Sequence, residues 1–295
     1  MKMTHKTPNN WKELENMTAE IFNNAGYYAI PHYTITTVRG KKEIDVYVHP
    51  RRELDPIIIC ECKFWNKPVN QEVVHSFRTV VQDSGAGLGF IITKSGFQSG
   101  AYSAAEFSNV KLVTWDEFLG FFLEDWLNFK RSKLLQLIKP LSVYTDPLDV
   151  PSELLDQKQR EQYVESIEKY FPVHTLATLY KPVSRIVIDK YNEFFNETIE
   201  SYEEYFDGMF SKATEALIFY DEFFEGMNIP LSHLSFDIEK VSDLTIEFMK
   251  RPPDIDVLKK FSGQLEGIIS ESEIGSFDRN ELEKYTNEFK KNIKR

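Results

Sequence analysis

Cysteine is scarce: Cys60 and Cys62 are the only two in 295 residues, which excludes a fold built on a disulfide framework. They lie two apart in a run that reads as a strand, a spacing poorly suited to bridging each other. Two thiols without a second Cys/His pair also make a poor zinc site, so they are expected to be buried structural thiols, with a metal or redox role as the other reading. No apolar run approaches the roughly 20 residues that cross a bilayer, so no membrane association is expected. Met1 to Asn10 is polar and lacks the apolar stretch of a secretory signal, which makes a cytoplasmic location the expectation.

Other signals are missing too. Gly85-Ala-Gly-Leu-Gly89 precedes a strand, whereas a dinucleotide loop follows a strand and opens a helix. None of the six histidines has metal-ligand spacing, and neither His49 nor His75 has a catalytic partner in sequence. There is no internal repeat and no low-complexity tract. Positive charge is short overall, with a net charge of −11, but the deficit is uneven. Residues 1–119 hold 13 Lys and Arg against 13 Asp and Glu, while residues 120–295 hold 22 against 33. The first half is therefore neutral and can meet a polyanion through local clusters such as Arg39, Lys41 and Lys42, or Arg51 and Arg52. Read blandly, the same clusters are solvated loop charges.

What is present has a clear order. Asn10 caps a helix, with Leu14, Met17, Ile21, Phe22 and Ala25 at helical spacing and Gly26 as the stop. Glu15 falls at the edge of that apolar face. Period two follows: Ile44, Val46 and Val48 alternate with Asp45 and Tyr47, and Pro56 opens a strand from Ile57 to Lys63. Alternation sets Ile57, Ile59, Glu61 and Lys63 on one face of that strand and Ile58, Cys60 and Cys62 on the other. A helix capped by Asn70, a strand from Leu88 to Thr93, a small-residue helix near Ala101 to Phe107 and a strand from Lys111 to Trp115 complete an α/β unit. From Asp116 the chain reads as helix, with a Pro-bearing hinge at residues 139–152. Tyr191, Phe195, Thr198, Tyr202, Tyr205 and Met209 recur as a heptad-like seam, read as bundle core or as a dimer surface.

Two charges on an otherwise apolar strand are the oddest feature. If the strands are neighbours, Asp45, Glu61 and Lys63 converge near one sheet edge. Carboxylates crowded in partial burial repel each other and call for a cation. Magnesium is the expected ion, with manganese the alternative, because it takes one or two carboxylates, keeps waters and binds phosphate. Lys63 can orient a water or balance phosphate charge, and Glu15 can add a carboxylate to the metal shell. Gln71, at the start of the next helix, can assist the site or simply be solvated. An exposed ion pair between Glu61 and Lys63 remains the plainer alternative.

Asp45 followed by Glu61-Cys62-Lys63 in an apolar strand resembles the PD-(D/E)xK nuclease signature, and more narrowly the Mrr-type restriction endonuclease domain. Leu14-Glu15 in the first helix, Gly26-Tyr27 after it, and Ile91-Ile92-Thr93 through Phe97 and Ala101 match that family's order. The resemblance covers residues 10–118. It departs at Lys41, Lys42 and Glu43, where the family often has glycines, and at Glu61, where it commonly has Gln. It implies an α/β restriction-endonuclease-like domain with a central mixed sheet flanked by helices, at residues 1–119, and the charge and helical pattern beyond it make residues 120–295 an acidic all-α domain. It implies a Mg²⁺-dependent DNA endonuclease of restriction or anti-phage defence, with Asp45, Glu61, Lys63 and Glu15 catalytic and Asp45 and Glu61 as metal ligands. The rival expectations are a silent nuclease fold that binds nucleic acid or scaffolds a complex, and an RNase. The helical half is expected to form a homodimer or to bind a protein partner.

Overall fold

The computed structural model of the protein describes residues 1–50, 55–147, 150, 154–179 and 183–227. The chain divides into two units, with the second beginning at Arg131. The first unit contains α1 (Trp11–Asn24), β1 (Tyr28–Thr37), β2 (Gly40–His49), β3 (Ile58–Lys63), α2 (Gln71–Asp83), β4 (Leu88–Thr93), α3 (Ser99–Ala105) and β5 (Val110–Thr114). Its strands form one sheet in the order β1-β2-β3-β4-β5. β1, β2 and β3 pair antiparallel, and β3, β4 and β5 pair parallel, so the sheet is mixed.

Local chemistry explains the helix starts. The Asn10 side chain accepts from the Glu13 N–H at 2.9 Å, and the Asn70 side chain accepts from the Val73 N–H at 3.3 Å. Each satisfies a donor that the helix leaves unpaired. Gly26, at φ 81°, turns the chain out of α1 into β1.

β4 is apolar and buried on both faces, as a parallel strand inside a sheet requires. Phe90 of β4 meets Phe22 of α1, with ring centroids 6.4 Å apart. Gly89, its neighbour, lies so close to Phe77 and Val81 of α2 that an added Cβ would meet them at 2.8 and 2.7 Å. Alternation thus sends one face of the sheet toward α1 and the other toward α2. β3 obeys the same rule: Cys62 lies 3.8 Å from the Thr18 hydroxyl of α1, while Ile59 packs in the cluster with Val74, Phe77 and Val81. Both thiols are buried, as their position behind Glu61 and Lys63 predicts.

α4 (Trp115–Ile138) runs across the division between the units. The second unit continues with α5 (Leu141–Tyr144), α6 (Gln157–Leu179), α7 (Arg185–Phe195) and α8 (Tyr202–Phe223), helical elements throughout among the described residues. The reading of nearly unbroken helix after Asp116 extends over residues 228–295, which lie outside the described residues, as do Pro151 and Ser152 of the expected hinge. The heptad-like seam requires correction. It does not lie on one helix: α7 ends at Phe195, the capping Asn196 has a left-handed φ of 50°, and α8 begins after Ser201. Thr198 sits exposed in the connection, while Tyr191, Tyr205 and Met209 are buried where α7 meets α8. Tyr191 and Tyr205 contact edge to face at 5.7 Å. The regular spacing reflects two helices folded on each other, with Tyr191, Tyr205 and Met209 in the core between them.

Candidate active site

Regular pairing between β2 and β3 ends at Val46 opposite Cys60, one residue short of Asp45. There a side chain takes over from the ladder: Asp45 Oδ2 accepts from the Cys62 N–H at 2.7 Å. Glu61 and Lys63 flank Cys62 on the face of β3 turned toward α2, and the Lys63 ammonium donates to the Glu61 carboxylate. Glu15 arrives from α1 with only 5% of its surface exposed. Its Oε2 is buried without a hydrogen-bond partner.

The electrostatics bind these groups into one cluster. Burial, then the charge of Asp45, pushes the Glu15 carboxyl up to about 7, with Lys63 opposing. Burial and the charge of Glu61 also raise Asp45, against the Cys62 N–H and the Lys63 and Lys42 cations. Burial works against the charge on Lys63, but Glu61, by charge and hydrogen bond, holds its pKa above the ordinary value. Asp45, Glu61 and Lys63 are thus linked through the Cys62 N–H and the ion pair, and Glu15 feels their charges from α1. Gln71 does not join them: it is exposed, and its Oε1 lies where a Cβ on Gly100 would be 2.9 Å away.

Beside Glu61 and Lys63 opens a cleft of about 480 Å³, lined also by Lys42, Trp65 and Lys67. The Lys63 and Lys67 ammoniums each lie 5.8 Å from the centre of the Trp65 ring. Of the basic clusters read in sequence, Lys42 reaches this cleft, whereas Arg39 is tied to Asp83 at the end of α2, at 2.9 Å. Arg51 and Arg52 lie outside the described residues. His49 packs among Tyr28, Tyr33 and Tyr47.

One residue at the site escaped the sequence reading. His32 of β1 places Nε2 3.4 Å from Glu15 Oε2 and Nδ1 3.7 Å from Glu43 Oε1. Its link to the cluster is set by hairpin register, which no spacing rule shows. The one local signal is Pro31 inside an alternating run, which marks an edge strand with a departure from regular pairing.

Among the described residues, no three His, Cys, Asp or Glu side chains form a group that could hold a metal ion. The donor set still suits a hard cation that needs only one or two carboxylates and completes its shell with water and phosphate. Asp45 and Glu61 are the carboxylates this set offers, and the buried Oε2 of Glu15 makes no hydrogen bond, with His32 Nε2 3.4 Å away.

No curated protein matches the chain. A crystal structure of a protein of unknown function, AF1548, aligns with a TM-score of 0.34 and 18% identity, over 72% of this chain and 100% of that one. Residues 8–122 match the family described as restriction endonuclease, the Mrr catalytic domain. They take in every strand of the sheet together with α1, α2 and α3, and this part of the chain is a restriction endonuclease domain of the Mrr family.

Proposed function

We propose that the protein is a DNA endonuclease that hydrolyses phosphodiester bonds with magnesium, or manganese in its place, in restriction or anti-phage defence. The restriction endonuclease domain supports the nuclease class. The observation that carries the site is the bond from the Cys62 N–H to Asp45, which fixes one carboxylate beside Glu61 and Lys63 where β2 and β3 part. In this reading Asp45 and Glu61 hold the cation and Glu15 supports its shell. A bound cation supplies acidity to a water and stabilises charge on the phosphodiester. Lys63 leaves Glu61 to position that water or to balance charge on the attacked phosphate. Lys42 and Lys67 line the cleft as phosphate contacts, and Trp65 gives an aromatic face for a base.

The test is incubation of full-length protein with plasmid, linear duplex, single strand and RNA, with Mg²⁺ or with a chelator. Cleavage of DNA only with Mg²⁺ is the expected result, and cleavage of RNA alone would change the substrate. A second reading, a silent nuclease fold that binds nucleic acid or scaffolds a complex, draws on the Lys63–Glu61 ion pair and the lack of a three-residue metal group among the described residues. Binding to DNA without cutting in any condition decides for it. The −11 charge carried by residues 120–295 repels a polyanion, so we assign that half to self-association or a protein partner. Light scattering of the full chain tests self-association, and tight DNA binding by that half would reverse the assignment.

A further inference from the structure

β1 pairs with β2 through Pro31 opposite Val46 and Tyr33 opposite Ile44. The residue between them, His32, therefore stands across from Asp45, where regular pairing lapses. Its φ of 54° is left-handed, a conformation that costs a non-glycine residue of order 1–3 kcal/mol. Pro31 cannot donate to the ladder and is tolerated because β1 is an edge strand. His32 stays exposed on the edge strand, yet its imidazole sets Nε2 3.4 Å from the buried Glu15 carboxylate and Nδ1 3.7 Å from Glu43. Trp11 stands edge-on to the ring at 6.3 Å.

Backbone strain of this kind persists only where the surroundings enforce it, and it gathers at functional sites. Here it places an imidazole that reaches Glu15 across from Asp45. We propose that His32 is a positioning residue: it braces the Glu15 carboxylate, which supports the shell of the cation that Asp45 and Glu61 hold. This rests on the cation-site reading given above. Partners that orient ligating groups commonly change metal affinity by about 10–100-fold when removed.

The experiment compares full-length wild type with His32→Gly, His32→Asn and Asp45→Ala, using Mn²⁺ as the probe in titration calorimetry and thermal unfolding without metal. Glycine accepts φ of 54° without strain, so His32→Gly is expected to unfold at an equal or higher temperature while binding Mn²⁺ about tenfold or more weakly. Asparagine tolerates the left-handed region and can donate to Glu15, so His32→Asn is expected to recover part of the affinity. A residue with only a structural role would not separate stability from affinity in this way. If Asp45→Ala loses Mn²⁺ and His32→Gly binds it like wild type, the positioning role is overturned and the cation site stands. If Mn²⁺ binding is absent from wild type, or unchanged in both Asp45→Ala and His32→Gly, the cation-site reading falls and the role of His32 falls with it.

Discussion

The Asp45 carboxylate and the Cys62 N–H are joined at 2.7 Å across two strands whose backbone pairing has already stopped. The bond holds a half-buried carboxylate next to Glu61, although burial and that neighbour's charge both push its pKa up. Asp45→Asn keeps an oxygen for Cys62 and removes the charge. Cleavage is expected to be lost, while the unfolding temperature without metal stays equal or rises because repulsion is relieved. Cleavage at the wild-type rate by this variant would remove Asp45 from the site.

Lys63 pairs with Glu61 across a face lined by apolar side chains. Lys63→Ala removes the group assigned to water or phosphate, so the cleavage rate is expected to fall on the order of 10²–10³. Single-turnover rates at saturating Mg²⁺ separate this loss from weakened metal binding. Glu15→Ala, acting from a different helix, is expected to lose less.

The strand from Leu88 to Thr93 and the caps at Asn10 and Asn70 were legible because each depends on neighbours within four residues. The pairing of Glu61 and Lys63 on one face, with Cys60 and Cys62 behind, followed from the period-two pleat alone. What could not be read depends on chain reversal. The place of His32 across from Asp45 is a matter of hairpin register, and the spacing from Tyr191 to Met209 hides a turn at Asn196. A one-dimensional repeat looks the same whether one helix or two folded helices carry it.

Cys60 and Cys62 are fully or nearly fully buried, at 0% and 5% exposure, and burial raises both thiols well above their usual pKa. A protonated, covered thiol is inert, so alkylation is expected only in denaturant. Replacing both with Ala should cost roughly 1–3 kcal/mol through lost burial. Metal dependence should not change, because the bond to Asp45 uses the backbone of Cys62 and not its sulfur. Rapid labelling of the native protein, or stoichiometric zinc in it, would show a functional thiol pair.

His174 of α6 sets a pH limit on the helical unit. Its Nε2 is buried without a hydrogen-bond partner, and burial lowers the imidazole from 6.5 to about 4, with the charge of Asp146 opposing. Because the folded value lies below the unfolded one, the unfolded chain binds more protons at this position as the pH drops below 6.5. The stability tied to the neutral ring is thus complete above pH 6.5 and disappears as the pH falls toward 4. The loss is of the order of 1–3 kcal/mol. Urea midpoints at pH 7 and pH 5 read it directly: wild type should lose stability between them, and His174→Leu should lose less. The difference between the two proteins matters, since carboxylates elsewhere titrate in both and cancel. Parallel declines in wild type and His174→Leu would mean that His174 is not the group whose protonation opposes folding.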